Sequence, residues 1–229
     1  MSNTIRKNFS VIFLSLILSI FSFSAFAKGK LTLYCSVEID VCEILVQAFE
    51  KETGINVAMT RKSSGETFAQ IKAEGSNPKG DVWFGGTGDP HLTASQEGLT
   101  QEYKSKHFDD LLPAAQQQAI NGNYRTVGIY VGALGYGYNH ELIASKGLPE
   151  PTSWEDLTNP VYKGEIQVAN PNSSGTAYTT LATILQIFGE EKGWDYMKKL
   201  HQNINQYTKS GSAPIKATAR GENTIGICF

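Results

Sequence analysis

The stretch Val168-Ala169-Asn170-Pro171-Asn172-Ser173-Ser174-Gly175-Thr176-Ala177 carries the residue types that hold an anion. Gly164 to Ala169 reads as a short strand. Beyond the turn, Ala177, Leu181, Ile184, Leu185 and Phe188 recur at helical spacing. A strand that runs through a Ser/Gly turn into a helix leaves free backbone N–H groups at the helix start. Together with the hydroxyls of Ser173, Ser174 and Thr176 they suit an anionic oxygen. The alternative for this turn alone is that Ser173 or Ser174 only caps the helix.

The pattern recurs, which favours a ligand. Ile55 to Arg61 reads as a strand and leads through Lys62-Ser63-Ser64-Gly65-Glu66 into a helical run from Thr67 to Glu74. Asp81-Val82-Trp83-Phe84 leads through Gly85-Gly86-Thr87-Gly88-Asp89-Pro90 into another helical segment. Gln206-Tyr207-Thr208 leads through Lys209-Ser210-Gly211-Ser212-Ala213-Pro214 into Ile215 to Arg220. In open α/β sheets such turns lie beyond the carboxyl ends of the strands, where ligands bind. Four of them make two walls of a polar cleft.

The elements that must position these turns follow in order. Lys30 to Cys35 is a first strand. A helix with the apolar stripe Val41, Ile44, Leu45, Ala48 and Phe49 follows and ends at Gly54. Two further strands, each followed by a helix, complete an alternating α/β start rather than a sandwich. Leu99 to Gln118 is polar and irregular, a strand or loop and then a surface helix. Arg125 to Asn139 mixes strand residues with glycines and suits strands that cross between lobes; an edge hairpin is the alternative. Leu148 to Leu157 reads as a turn and a short capped helix. Gly193 to Leu200 begins a helix with Trp194, Met197 and Leu200 inward. Thr224 to Phe229 is a strand with no helix after it.

The bulk composition excludes several classes. With 229 residues, 41% of them apolar, the chain builds a real core. The net charge is −2, and no basic block or aromatic-basic ladder exists, which argues against nucleic acid as a partner. Residues 1–27 read as an export leader: Arg6 and Lys7, an apolar run from Phe9 to Phe23, and the small-x-small site Ala25-Phe26-Ala27. Cleavage after Ala27 and a periplasmic mature chain are expected. Export permits disulfides, so Cys35 and Cys42 either pair or sit as small buried residues, with Cys228 left over. The four histidines are scattered, with no zinc spacing. No metal site and no cofactor are expected.

These motifs, taken in register, resemble the periplasmic solute-binding proteins of ABC importers, in the branch that binds iron(III), phosphonates and sugar phosphates. The resemblance rests on Leu33-Tyr34-Cys35-Ser36, Arg61 with Ser63-Ser64-Gly65-Glu66, and Asp81-Val82-Trp83-Phe84-Gly85-Gly86. It continues through Gly135-Tyr136-Gly137-Tyr138-Asn139, Pro151 to Leu157, Tyr162-Lys163-Gly164, Asn170-Pro171 through Gly175-Thr176-Ala177-Tyr178, and Gly221-Glu222 before Ile225-Gly226. It implies an α/β, type II periplasmic-binding-protein fold of two hinged lobes. On that expectation residues 28–127 form the first lobe, 128–138 the crossover strands and 139–229 the second lobe. The family's chains are longer, so the final part of the fold is expected to be missing here. The resemblance places Ser36, Arg61, Ser63, Ser64, Gly86, Thr87, Ser173, Ser174, Gly175, Thr176, Ser210 and Gly211 against the solute. It implies an inner-membrane ABC permease as partner and a monomer in solution.

Hydroxyls and N–H groups suit a phosphoryl or phosphonyl oxygen, whereas a ferric ion takes anionic oxygens. The expected solute is a small phosphorylated or phosphonate anion, with iron(III) as the alternative. An exported hydrolase is disfavoured, because no G-x-S-x-G elbow is present and no residue spacing couples Ser174 to His140 or His201. A purely structural secreted domain is the remaining alternative.

Overall fold

The structure, a computed structural model, describes residues 29–229. The expected leader, 1–27, lies outside them. Two sheets organise the described chain. The first is parallel, in the order β2-β1-β3, built from β1 (Lys30–Cys35), β2 (Asn56–Arg61) and β3 (Val82–Phe84). Parallel neighbours need crossovers, supplied by α1 (Ile39–Thr53) and α2 (Ser64–Glu74). Helices α3 (Gly88–Gln96) and α4 (Pro113–Asn121) follow β3.

The second sheet has the order β4-β7-β5-β6, from β4 (Gly135–Tyr138), β5 (Ile166–Ala169), β6 (Ile204–Thr208) and β7 (Ile225–Cys228). Only β4 runs antiparallel, against β7. Helices α5 (His140–Ser145), α6 (Gly175–Phe188), α7 (Glu190–Asn203) and α8 (Ala213–Ala219) connect these strands. The fold is the α/β arrangement that the alternating pattern demanded.

Local chemistry sets the helix ends. Gly54 closes α1 in the left-handed conformation, φ 71°, where its N–H reaches Glu50 O at 2.8 Å. Ser63 heads α2 in a capping box with Glu66. Ser174 heads α6, its Oγ accepting from Ala177 N–H.

The main core lies in the second sheet. Ile166, Ile184, Ile225, Ile227 and Leu157 are fully enclosed, and Tyr162 and Leu200 close the cluster. Each such aliphatic contributes about 1.5–3 kcal/mol of burial. The strand that ends the sequence is central, between β4 and β5, so both its neighbours are paired. Helix α8 covers it closely: a Cβ on Gly226 would fall 2.7 Å from the Pro214 carbonyl carbon.

Three expectations differ from the structure. Trp194 is 47% exposed, and Tyr196 takes the inward position on α7, stacked on Phe188 with centroids 4.9 Å apart. The stripe Val41, Ile44, Leu45 and Phe49 on α1 stays partly exposed; Leu45 and Phe49 border an open apolar pocket with Leu31, Leu33, Val57, Val82 and Phe84 of the first sheet. Of the expected crossover strands, Gly135–Tyr138 joins a ladder; residues 128–134 carry no strand, since no neighbouring backbone among the described residues pairs with them.

Candidate functional site

A cavity of about 600 Å³ opens where the carboxyl ends of the two sheets face each other. Its walls are the turns between strands and helices. From the first sheet come Ser36 after β1, Arg61 as the last residue of β2 with Ser63 and Ser64 after it, and Gly86 and Thr87 after β3. From the second come Ser174, Gly175 and Thr176 after β5 and Gly211 after β6. Three helix N-termini meet at this cavity: α2 at Ser64, α3 at Gly88 and α6 at Gly175. Each brings unpaired N–H groups and the positive end of a helix dipole. The charged side chains on the wall balance, Arg61 and Lys216 against Glu38 and Asp89. Attraction for an anion therefore comes from the oriented N–H and hydroxyl dipoles.

The hydrogen bonds separate free donors from committed ones. Ser64 Oγ accepts from Thr87 N–H at 3.3 Å, which leaves its own proton free. Thr87 Oγ1 is buried without a partner among the described residues. Ser174 Oγ accepts from Ala177 N–H at 3.4 Å and likewise keeps its proton. Gly86 N–H, in contrast, donates to the Tyr130 hydroxyl at 2.6 Å, and that hydroxyl lies 3.0 Å from Gly86 O. Arg61 is partly used: Nε donates to Val37 O at 3.2 Å and Nη2 to Ser210 Oγ at 3.4 Å.

Two expected residues do not line the cavity. Ser173 donates to Lys209 O at 3.0 Å, and Ser210 receives Arg61; both lie on the seam where the two halves touch. The seam is closed by direct contacts. Glu66 N–H donates to Ser173 O at 3.3 Å, Ser63 Oγ donates to Lys209 O at 3.4 Å, and Lys209 pairs with Glu66 at 2.7 Å. Lys216 pairs with Glu38 across the same gap. Burial pushes the Glu38 carboxyl up, but bonds from Lys216 and Ser212 outweigh it and hold it below its ordinary range.

The profile of the bacterial extracellular solute-binding proteins matches residues 84–229. The chain belongs to that family. A solved relative is the periplasmic binding protein AfuA from Actinobacillus pleuropneumoniae, in a structure with exogenous fructose-6-phosphate bound. It is 46% identical, with a TM-score of 0.85, over 89% of this chain and 64% of that one. An uncharacterized protein of Haemophilus influenzae is 47% identical over 90% of this chain and 60% of its own length. An Fe(3+)-binding periplasmic protein of Serratia marcescens is 25% identical over 94% of this chain and 61% of its own. The chain thus spans about three-fifths of the length of these relatives.

In this member of the family, sequence reasoning missed several wall residues. Glu38, Asp89 and Ser212 sit one or two positions from residues it selected, and Thr179 lies one helical turn beyond Thr176. Periodicity offered a signal for Thr179 alone. Tyr130 and Gly132 come from a segment without ladder partners, and only folding brings them to the wall. The seryl-enzyme alternative gains nothing: His201 Nδ1 lies 2.7 Å from the Tyr207 hydroxyl and His140 pairs with Glu150, so neither serves Ser174.

The loop after β3 rests on a partly buried histidine. His91 stacks on Trp83 with centroids 3.6 Å apart, and its Nε2 donates to Gly85 O at 2.8 Å. Burial depresses the imidazole below its ordinary 6.5, against the opposing pull of the Gly85 carbonyl. The unfolded chain takes up this proton below 6.5 while the folded chain resists, so stability is full above 6.5 and falls as pH drops below it. Melting temperature should decline as pH falls below 6.5, and His91→Gln should flatten that slope. An unchanged slope in the variant would place the titration elsewhere.

Proposed function

We propose that this protein captures a small phosphorylated or phosphonate solute in the cavity between its lobes, for delivery to an inner-membrane ABC permease. One observation carries the reading: three helix N-termini and the hydroxyls of Ser64 and Ser174, each with its proton uncommitted, converge on one cavity. A phosphoryl group presents several acceptor oxygens to match such donors. The volume lies within the range of small-molecule sites, roughly 300–1,000 Å³. The likeness to AfuA, whose structure contains fructose-6-phosphate, points the same way.

Iron(III) is the weaker reading. Among the described residues on the wall, the side chains able to offer an anionic oxygen are Glu38, Asp89 and the Tyr130 phenol. Glu38 is paired with Lys216, and burial raises the Tyr130 phenol above its usual range. The likeness to the Serratia protein runs over 94% of this chain at 25% identity, well below the 46% identity to AfuA. On this reading the mature protein begins after Ala27, works in the periplasm as a monomer, and closes on its solute by rotation of the lobes about the segment 128–138.

Thermal melting with three probes tests the function. At about 100 times its Kd, a ligand adds about 2.7 kcal/mol of stability, a rise of roughly 5–10 °C for a chain of this size. Fructose 6-phosphate should give that rise, with fructose and ferric citrate giving little. A rise with ferric citrate alone would overturn the reading.

Ser174→Ala separates ligand contact from capping. Loss of the bond from Ala177 N–H should cost about 1 kcal/mol of stability. Affinity for fructose 6-phosphate should also fall several-fold in calorimetry. Lower stability with unchanged affinity would reduce Ser174 to a cap.

A further inference from the structure

Ser36 is buried at the end of β1, borders the cavity, and has two hydrogen-bonding neighbours. Trp83 Nε1 lies 2.9 Å from its Oγ, and Thr67 Oγ1 lies 3.0 Å away. The indole N–H donates only, so one lone pair of Ser36 is always taken. Thr67 is 1% exposed, and Ser36 is the hydrogen-bond partner of its hydroxyl. Two proton arrangements follow. In one, Ser36 donates to Thr67 and shows no proton to the cavity. In the other, Thr67 donates to Ser36, whose oxygen then accepts two bonds while its own proton faces the cavity.

An anionic oxygen accepts and never donates, so it selects the second arrangement. We propose that Trp83 and Thr67 are positioning residues that hold Ser36 as a hydrogen-bond donor toward an anionic oxygen. This rests on the reading that the cavity takes a phosphoryl or phosphonyl group. The chain from Thr67 to Ser36 to the anion, with Trp83 donating from the side, polarises the Ser36 proton. The support is rigid. Trp83 is in register with Tyr34 across the β1–β3 ladder, and Ser36 N–H donates to Phe84 O at 2.8 Å. His91 stacks on the indole from the other side. Ser36 thereby discriminates by proton polarity, which ligand size or net charge alone does not.

A double-mutant cycle on the full chain, with fructose 6-phosphate as probe, tests this. Ser36→Ala should weaken binding about tenfold or more. Thr67→Val keeps the shape and removes the hydroxyl; it should weaken binding roughly three- to tenfold, and Thr67→Ser should restore it. In the Thr67→Val or Trp83→Phe background, Ser36→Ala should then cost markedly less than it does alone. Equal costs of Ser36→Ala in all backgrounds, or Thr67→Val binding like the parent, would overturn the proposal while leaving the phosphoryl site intact. Failure of the parent protein to bind fructose 6-phosphate, 2-aminoethylphosphonate or inorganic phosphate would instead overturn the underlying reading, and this proposal with it.

Discussion

Replacing Gly175 by alanine should weaken solute binding by at least tenfold while leaving the unliganded protein as stable as before, or more so. Gly175 opens α6 and faces the other lobe. A Cβ there would lie 2.0 Å from Thr87 Oγ1 and 3.0 Å from both Thr87 Cβ and Ser64 Oγ. Rotating the threonine hydroxyl away does not relieve the contact with its Cβ, so the two walls must part. Within its own lobe the substitution is favourable, because alanine is the better helix former by up to about 1 kcal/mol. The two effects have opposite signs and different readouts. Calorimetry with fructose 6-phosphate reads the first, and melting without ligand reads the second. Equal affinity in Gly175→Ala would mean that the closed seam is not the binding-competent arrangement. Gly65 makes a similar approach, with a Cβ 2.9 Å from Ser173 O, and serves as a second site for the same test.

Reducing the disulfide should have the next largest effect. Cys35 and Cys42 are bonded, with Cα atoms 6.4 Å apart, and both are fully buried. Between them lies the loop that carries Ser36, Val37 and Glu38 onto the cavity wall. Cross-linking across seven positions is worth about 2–3 kcal/mol on the chain-entropy scale. The loss should therefore show as a lower melting temperature in reductant, or in Cys35→Ser with Cys42→Ser. Affinity should fall as well, because the freed loop spends less time in the geometry that Trp83 and Arg61 support. A protein that melts and binds identically with and without reductant would contradict both parts. Cys228 is buried and unpaired, and burial pushes its thiol up, so it should stay inert through the treatment.

Legibility in the sequence followed the range of the forces involved. Strands and helices were readable because spacing and end signals are local. Ser174 and Ser63 announced their helices, and Gly54 ended α1. The cavity's main walls were readable for a related reason: parallel strands place every following turn at one end of the sheet. What was not readable depended on partners far along the chain. The apolar stripe on α1 looks like a core face, yet whether it is covered depends on other segments. Trp194 and Tyr196 both suit burial, and only the neighbouring α6 decided for Tyr196. Ser173 and Ser210 share the chemistry of the wall residues, but contacts between lobes turned them into the seam. The Cys35–Cys42 pairing was open because a separation of seven allows a bond without requiring it.

The most direct test of the central claim is a titration of the isotopically labelled protein with fructose 6-phosphate, followed through backbone amide resonances. The N–H groups at the starts of α2, α3 and α6, namely Ser64, Gly88, Gly175 and Thr176, should shift most and saturate together. Amides on the exposed face of α1 should stay in place. Saturable shifts that spare all three helix starts would contradict the claim.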